Sequence, residues 1–166
     1  MCMKNLNMTA VFCDIIANHD NPDVSLGDIG NKRFFITTEN EVRKISQLSL
    51  AVFINATQAK GTKSADPDSV FSFEDEYEIR VRLTETYSGE FKDLTSFVVQ
   101  PSDRVDAEGL CRCVFQHTHL CIFSNVSLPE KREKERFVIK LVIRRCGAEN
   151  DSWAVRSIFP IKFENE

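Results

Sequence analysis

Leu120-Cys-Ile-Phe-Ser-Asn-Val-Ser-Leu-Pro-Glu-Lys-Arg-Glu-Lys-Glu-Arg-Phe-Val-Ile-Lys-Leu-Val-Ile-Arg-Arg145 is the stretch on which the fold turns. Its second half sets Phe137, Ile139, Leu141 and Ile143 at one parity and Val138, Lys140, Val142 and Arg144 at the other, the period-two pattern of a half-buried strand. The first half is equally strand-like, and the charged residues between the two read as a turn. The stretch therefore predicts a β-hairpin, and nothing in it suggests catalysis.

Working outward, the same pattern recurs. Leu48, Leu50, Val52 and Ile54 share one face of a strand over 47–57, with Ser49, Ala51, Phe53 and Asn55 on the other, so that Phe53 points away from its strand's apolar face. Tyr77, Ile79, Val81 and Leu83 alternate with Glu78, Arg80, Arg82 and Thr84. Further strands are expected over 33–37, 94–100 and 111–123, and at the end of the chain, where Trp153, Val155 and Ser157 alternate toward Pro160. Residues 9–17 form an apolar run interrupted by Asp14, short enough for a buried strand central in a sheet. Thr38 followed by Glu41 resembles a capping box that would open a short helix; an ordinary polar loop is the alternative. Asn18 to Asp23 is dense in turn formers, and residues 59–74 read as a long mobile loop. A calcium site at Asp66 and Asp68 is disfavoured, for such a loop needs six or more oxygens and a glycine at its sharp turn. The expected fold is all-β: an antiparallel two-sheet β-sandwich, immunoglobulin-like or C2-like, with about eight or nine strands and at most one short helix.

The 166 residues suit a single domain spanning 1–166, which can bury a core without disulfide or metal staples. With 21 basic and 25 acidic side chains the net charge is −4, which argues against a nucleic-acid partner. The amino terminus lacks an apolar run of signal-peptide length and no stretch is apolar enough to span a bilayer, so a cytoplasmic protein without a membrane partner is expected. On that reading the Asn-x-Ser/Thr triplets at Asn7, Asn55, Asn125 and Asn150 arise by chance, and the cysteines serve as small hydrophobes.

Phosphate-binding glycine loops, zinc-protease motifs and nucleophile elbows are absent from the sequence, and the only histidines are His19, His117 and His119. One cluster stands out: Cys111, Cys113, His117, His119 and Cys121 share a parity and would line one face of a strand. Imidazoles and thiolates are zinc ligands, which makes Zn the alternative cofactor. Same-parity neighbours lie about 6.6 to 7 Å apart along a strand, however, so one ion reaches two of them at most without a bulge. The favoured reading is that the cysteines face the core and the histidines cap the sheet, with no cofactor. Arg80 and Arg82 would stand side by side, either as an anion site or paired across strands with carboxylates, the pairing being favoured. Of Phe34 and Phe35, one must point away from the core.

Ala10-Val-Phe-Cys-Asp-Ile-Ile, the later Asn125-Val-Ser-Leu-Pro-Glu, and the closing Ser157-Ile-Phe-Pro-Ile-Lys-Phe resemble an uncharacterised group of short bacterial β-sandwich proteins, classed only as a domain of unknown function. This chain carries Lys131-Arg-Glu-Lys-Glu-Arg136 where that group closes its late hairpin on a glycine. The resemblance implies a cytosolic sandwich and brings no catalytic residue. Residue chemistry then points first to a non-enzymatic interaction or accessory module that meets another protein, with Phe53, Arg80, Arg82 and Trp153 as candidate contacts. The alternatives are a metal-binding protein or metal-dependent hydrolase built on His117 and His119, and a carbohydrate or small-ligand binder using Trp153 as a platform.

Overall fold

The computed structural model describes residues 3–17, 24–27, 33–59, 70–101, 105–106, 112–148 and 153–164. Among them there is no α-helix, and the strand segments are β1 (Leu6–Phe12), β2 (Asp14–Ala17), β3 (Val24–Gly27), β4 (Arg33–Phe34), β5 (Ile36–Glu39), β6 (Val42–Ala59), β7 (Tyr77–Glu85), β8 (Phe91–Val99), β9 (Val105–Asp106), β10 (Arg112–Ser127), β11 (Phe137–Arg145), β12 (Ala154–Pro160) and β13 (Lys162–Phe163). One sheet has the order β1-β6-β10-β9 with β5 also paired to β6, and the other the order β12-β11-β7-β8. Both are antiparallel. Leu48, Leu50, Val52 and Ile54 of the first sheet join Ile79, Val81, Leu83, Phe137, Ile139, Leu141 and Ile143 of the second in one buried cluster. This is the expected sandwich core, chosen by the alternation of apolar side chains along each strand.

The expected hairpin over 120–145 does not form. β10 pairs with β6 and β9, whereas β11 pairs with β7 and β12, so the charged residues between them carry the chain from one sheet to the other. Alternation identifies the face of a strand that is buried. It is equally satisfied by a neighbour in the same sheet and by one across the core. A partly buried ion pair holds the crossing: the Arg43 guanidinium meets the Glu135 carboxylate through both nitrogens, one bond being 2.9 Å, and the same guanidinium donates to the Pro129 carbonyl at 3.3 Å. The Leu128 amide donates to the Arg43 carbonyl at 2.8 Å.

No helix follows Thr38. Glu39 pairs with Val42, and Asn40 and Glu41 between them have φ of 49° and 65°, a two-residue hairpin turn with both central residues in the left-handed region. Asparagine tolerates that conformation well. The run at 9–17 divides at Cys13 into β1 and β2, and β1 lies at the edge of its sheet rather than in the centre. That edge is covered from the other sheet. In the β11–β12 ladder Leu141 faces Ser157 and Val142 faces Val155, which leaves Arg156 as an extra residue, a β-bulge. Its guanidinium donates to the Met3 and Leu6 carbonyls at 3.0 and 2.7 Å, and the Ser157 hydroxyl donates to that of Met8. The bulge also turns Ser157 inward, against the simple alternation expected from Trp153.

The end of the supposed 59–74 loop is part of the core. Phe71 and Phe73 are buried, with Phe71 stacked on Tyr77 at a centroid separation of 4.3 Å. The Asn5 side chain both donates to the Phe71 carbonyl and accepts from its amide, each at 2.8 Å, so it pairs that residue as a strand would. Asn18 to Asp23, His19, Asp66, Asp68 and Asn150 lie outside the described residues. Phe34 is buried and Phe35 exposed.

Candidate functional site

The outer face of the four-stranded sheet collects most of the charged candidates. Even-numbered residues of β7 and β11 point outward there, which sets Arg80 opposite Val142, Arg82 opposite Lys140 and Glu78 opposite Arg144. On the other side of β7 the register shifts: Val81 faces Thr95 but Arg82 faces Asp93, leaving Leu94 as the extra residue. Without that bulge Asp93 would stand opposite Leu83, whose side chain faces the core. The bulge therefore re-aims one carboxylate from the interior to the surface.

A continuous charge ladder results. Glu78 accepts from Arg144 and from Arg80, both at 2.9 Å; Arg80 continues to Asp93 at 3.0 Å; and Asp93 accepts from Arg82 Nε at 2.6 Å. Arg80 and Arg82 are thus paired with carboxylates. Trp153, at the edge of the face, carries two guanidinium groups over its indole, with Arg80 at 4.3 Å and Arg144 at 4.6 Å, and Arg82 lies 3.9 Å from the centroid of Phe91. Such stacking holds the arginines flat and fixes their heads. Hydrogen bonding to Arg82 lowers the Asp93 pKa; burial opposes this, and Arg80 lowers it further. For Glu78, burial acts to raise the pKa and the hydrogen bonds from Arg80 and Arg144 outweigh it, so that it too lies below the usual carboxylate range.

Among the described residues, Arg80, Arg82, Lys140 and Arg144 stand against Glu78 and Asp93 on this face, and Lys140 makes no ion pair there. Around the ladder the exposed apolar side chains are Val98, Val155, Ile158 and Phe91, each half or more open to solvent. The described residues of this surface are thus mainly cationic at its centre and apolar at its borders, although the chain as a whole is acidic.

Arg80, Arg82 and Trp153 are brought together. Phe53 is not: it belongs to β6 and lies on the outer face of the other sheet, half-buried between Thr9 and Thr118 of the neighbouring strands. Lys140, Asp93 and Arg144 went unremarked as site residues in the sequence. Lys140 was legible there as a charge on the outward parity, but the place of Asp93 depends on a bulge that no local pattern marks.

Cys113, His117, His119 and Cys121 do share the inward face of β10, with Cys111 outside the described residues. Cys113 and Cys121 are buried, and burial pushes the Cys121 thiol up to about 11. His119 stacks on Phe97 at 3.8 Å, and burial, with the neighbouring His117, lowers its pKa. The two imidazole centroids are 6.0 Å apart, and among the described residues no group of three or more His, Cys, Asp or Glu is placed to hold a metal ion. Among those residues, too, no helix is long and apolar enough to cross a membrane. No family model, curated protein or solved structure matches the chain.

Proposed function

We propose that this protein is a non-enzymatic binding module, and that the outer face of its four-stranded sheet docks an acidic, partly apolar segment of another protein. The observation that supports this reading is Lys140, without an ion pair among the described residues, beside the oriented Arg80, Arg82 and Arg144 and bordered by exposed Val98, Val155 and Ile158. The guanidinium groups are already oriented by Trp153, Phe91 and two carboxylates, so little side-chain entropy remains to be lost on binding. An extended partner with carboxylates toward Lys140 and apolar side chains toward β8 and β12 complements that surface in charge and in hydrophobicity. Catalysis has no comparable support in the arrangement, because the Glu78 and Asp93 carboxylates are held in ion pairs with the arginines.

Labelled peptides of about ten residues, alternating Glu with Leu or Phe, test the reading against counterparts carrying Lys in place of Glu, by fluorescence polarisation. The acidic peptide is expected to bind, and to bind less as salt is raised. Lys140→Glu and Trp153→Ala should each weaken it while the fold persists. Equal binding of both peptides, or binding untouched by Lys140→Glu, overturns the proposal.

A further inference from the structure

A second feature lies at one end of the sandwich, away from the charge ladder. There β4 and β13 form a parallel pair in which Lys162 stands opposite Arg33 and Phe163 opposite Phe34. Like charges set directly across a pair of strands repel, and this pair is only two residues long, so it has little ladder energy to offset the repulsion. Arg136 approaches the same cavity from the start of β11. Its backbone is fixed by bonds that do not involve its side chain: its amide donates to Glu85 at 3.3 Å, and its carbonyl accepts from the Thr86 amide at 2.8 Å. None of the three cations makes an ion pair among the described residues.

The cavity they border has a volume of about 700 Å³, within the range usual for small-molecule sites, and among the described residues no carboxylate lines it. Its floor is apolar: Phe137, Ile161 and Phe163 are buried, and the Ile161 amide donates to the Phe137 carbonyl at 2.9 Å. Tyr87, exposed on the turn after β7, adds a hydroxyl at the rim. Three cationic residues bordering a hydrophobic floor match a small molecule with an anionic head and an apolar body.

We infer that this end cavity binds a small organic anion, its phosphate or carboxylate held among Arg33, Arg136 and Lys162 and its hydrocarbon or aromatic part resting on Phe137, Ile161 and Phe163. The like-charge pair then has a purpose: an anion between the two cations turns a repulsion into two charge-assisted hydrogen bonds. The cavity adjoins the sheet face assigned to a protein partner, with Val138 and Pro160 next to Lys140 and Ile158, but its three cations are other residues and either site can exist without the other.

Isothermal titration with hexyl phosphate, hexanoate, inorganic phosphate and hexanol tests the inference on the full chain. Hexyl phosphate or hexanoate should bind saturably with a Kd at or below about 1 mM, more tightly than inorganic phosphate or hexanol, since head and body each contribute. Replacing Arg33 and Lys162 together by Ala should weaken binding by about tenfold or more. The same double variant is expected to melt no lower than the parent, because it removes a repulsion, so lost binding is not a sign of lost folding. Lys162→Glu gives a stricter test: it sets opposite charges across the pair and should raise the melting temperature while abolishing anion binding. Absence of saturable binding by either amphiphilic anion, or affinity retained in both variants, overturns the inference.

Discussion

Replacing Glu135 by Ala removes the carboxylate that holds Arg43, and the expected cost is large because the pair is sheltered. The Arg43 and Glu135 side chains are 12% and 5% exposed, and the guanidinium meets both carboxylate oxygens as well as the Pro129 carbonyl. At an effective dielectric constant of about 20, opposite charges about 4 Å apart attract by about 4 kcal/mol. Removal of one partner from such a pair leaves an uncompensated buried charge and costs about 3 to 5 kcal/mol. For a domain of this length that corresponds to a melting temperature lowered by about 6 to 20 °C. The assay is a double-mutant cycle by urea denaturation with Arg43→Leu, Glu135→Leu and the two combined. Each single variant should lose several kcal/mol, and the double should recover most of that loss, because replacing both charges by apolar groups removes the stranded charge. A single variant that costs under about 1 kcal/mol, or a double whose loss is the sum of the two singles, refutes the reasoning. The pair would then be a solvated surface contact, and something else would direct the chain across the sandwich.

Ile139 is fully buried and packs between β7 and β12, so Ile139→Ala should cost about 2 to 5 kcal/mol in denaturant unfolding, while Lys140→Ala, on the outer face, should change stability by less than about 0.5 kcal/mol. Glu85 gives a pH dependence: hydrogen bonds from the Ser88 side chain and then the Tyr87, Ser88 and Arg136 amides outweigh its burial and hold its pKa at about 2, against an ordinary 4.5. Its folded pKa being depressed, its contribution is present above about pH 4.5 and is lost as pH falls toward 2, so Glu85→Gln should lower the melting temperature at pH 7 and flatten its decline between those values. If His117 and His119 are ordinary sheet residues, untagged protein should hold far less than one equivalent of zinc and chelator should leave its melting temperature unchanged; stoichiometric zinc lost on replacing both by Gln would instead establish a metal site.

Alternation in the sequence by itself determined that the chain is built of strands and which side of each is buried. A residue's parity is decided within its own strand, so Leu48, Ile79 and Ile139 could be assigned to the core, and Arg80, Arg82 and Lys140 to a surface, without knowing any neighbour. Parity does not carry across a register shift. The single extra residues at Leu94 and Arg156 reverse it, placing Asp93 beside the arginines and turning Arg156 and Ser157 toward the edge of β1. Nor does parity name a partner. Whether β10 and β11 lie side by side or face each other through the core depends on long-range contacts: the Arg43–Glu135 pair and the competing ladders to β6 and β7. The same is true of the cationic end cavity, where Arg33 is separated from Arg136 and Lys162 by most of the chain and shares a cavity with them only because two short segments pair in parallel there. Local chemistry sets the character of each strand. Which strands become neighbours is a property of the whole chain's burial, and that is settled only when the two sheets pack.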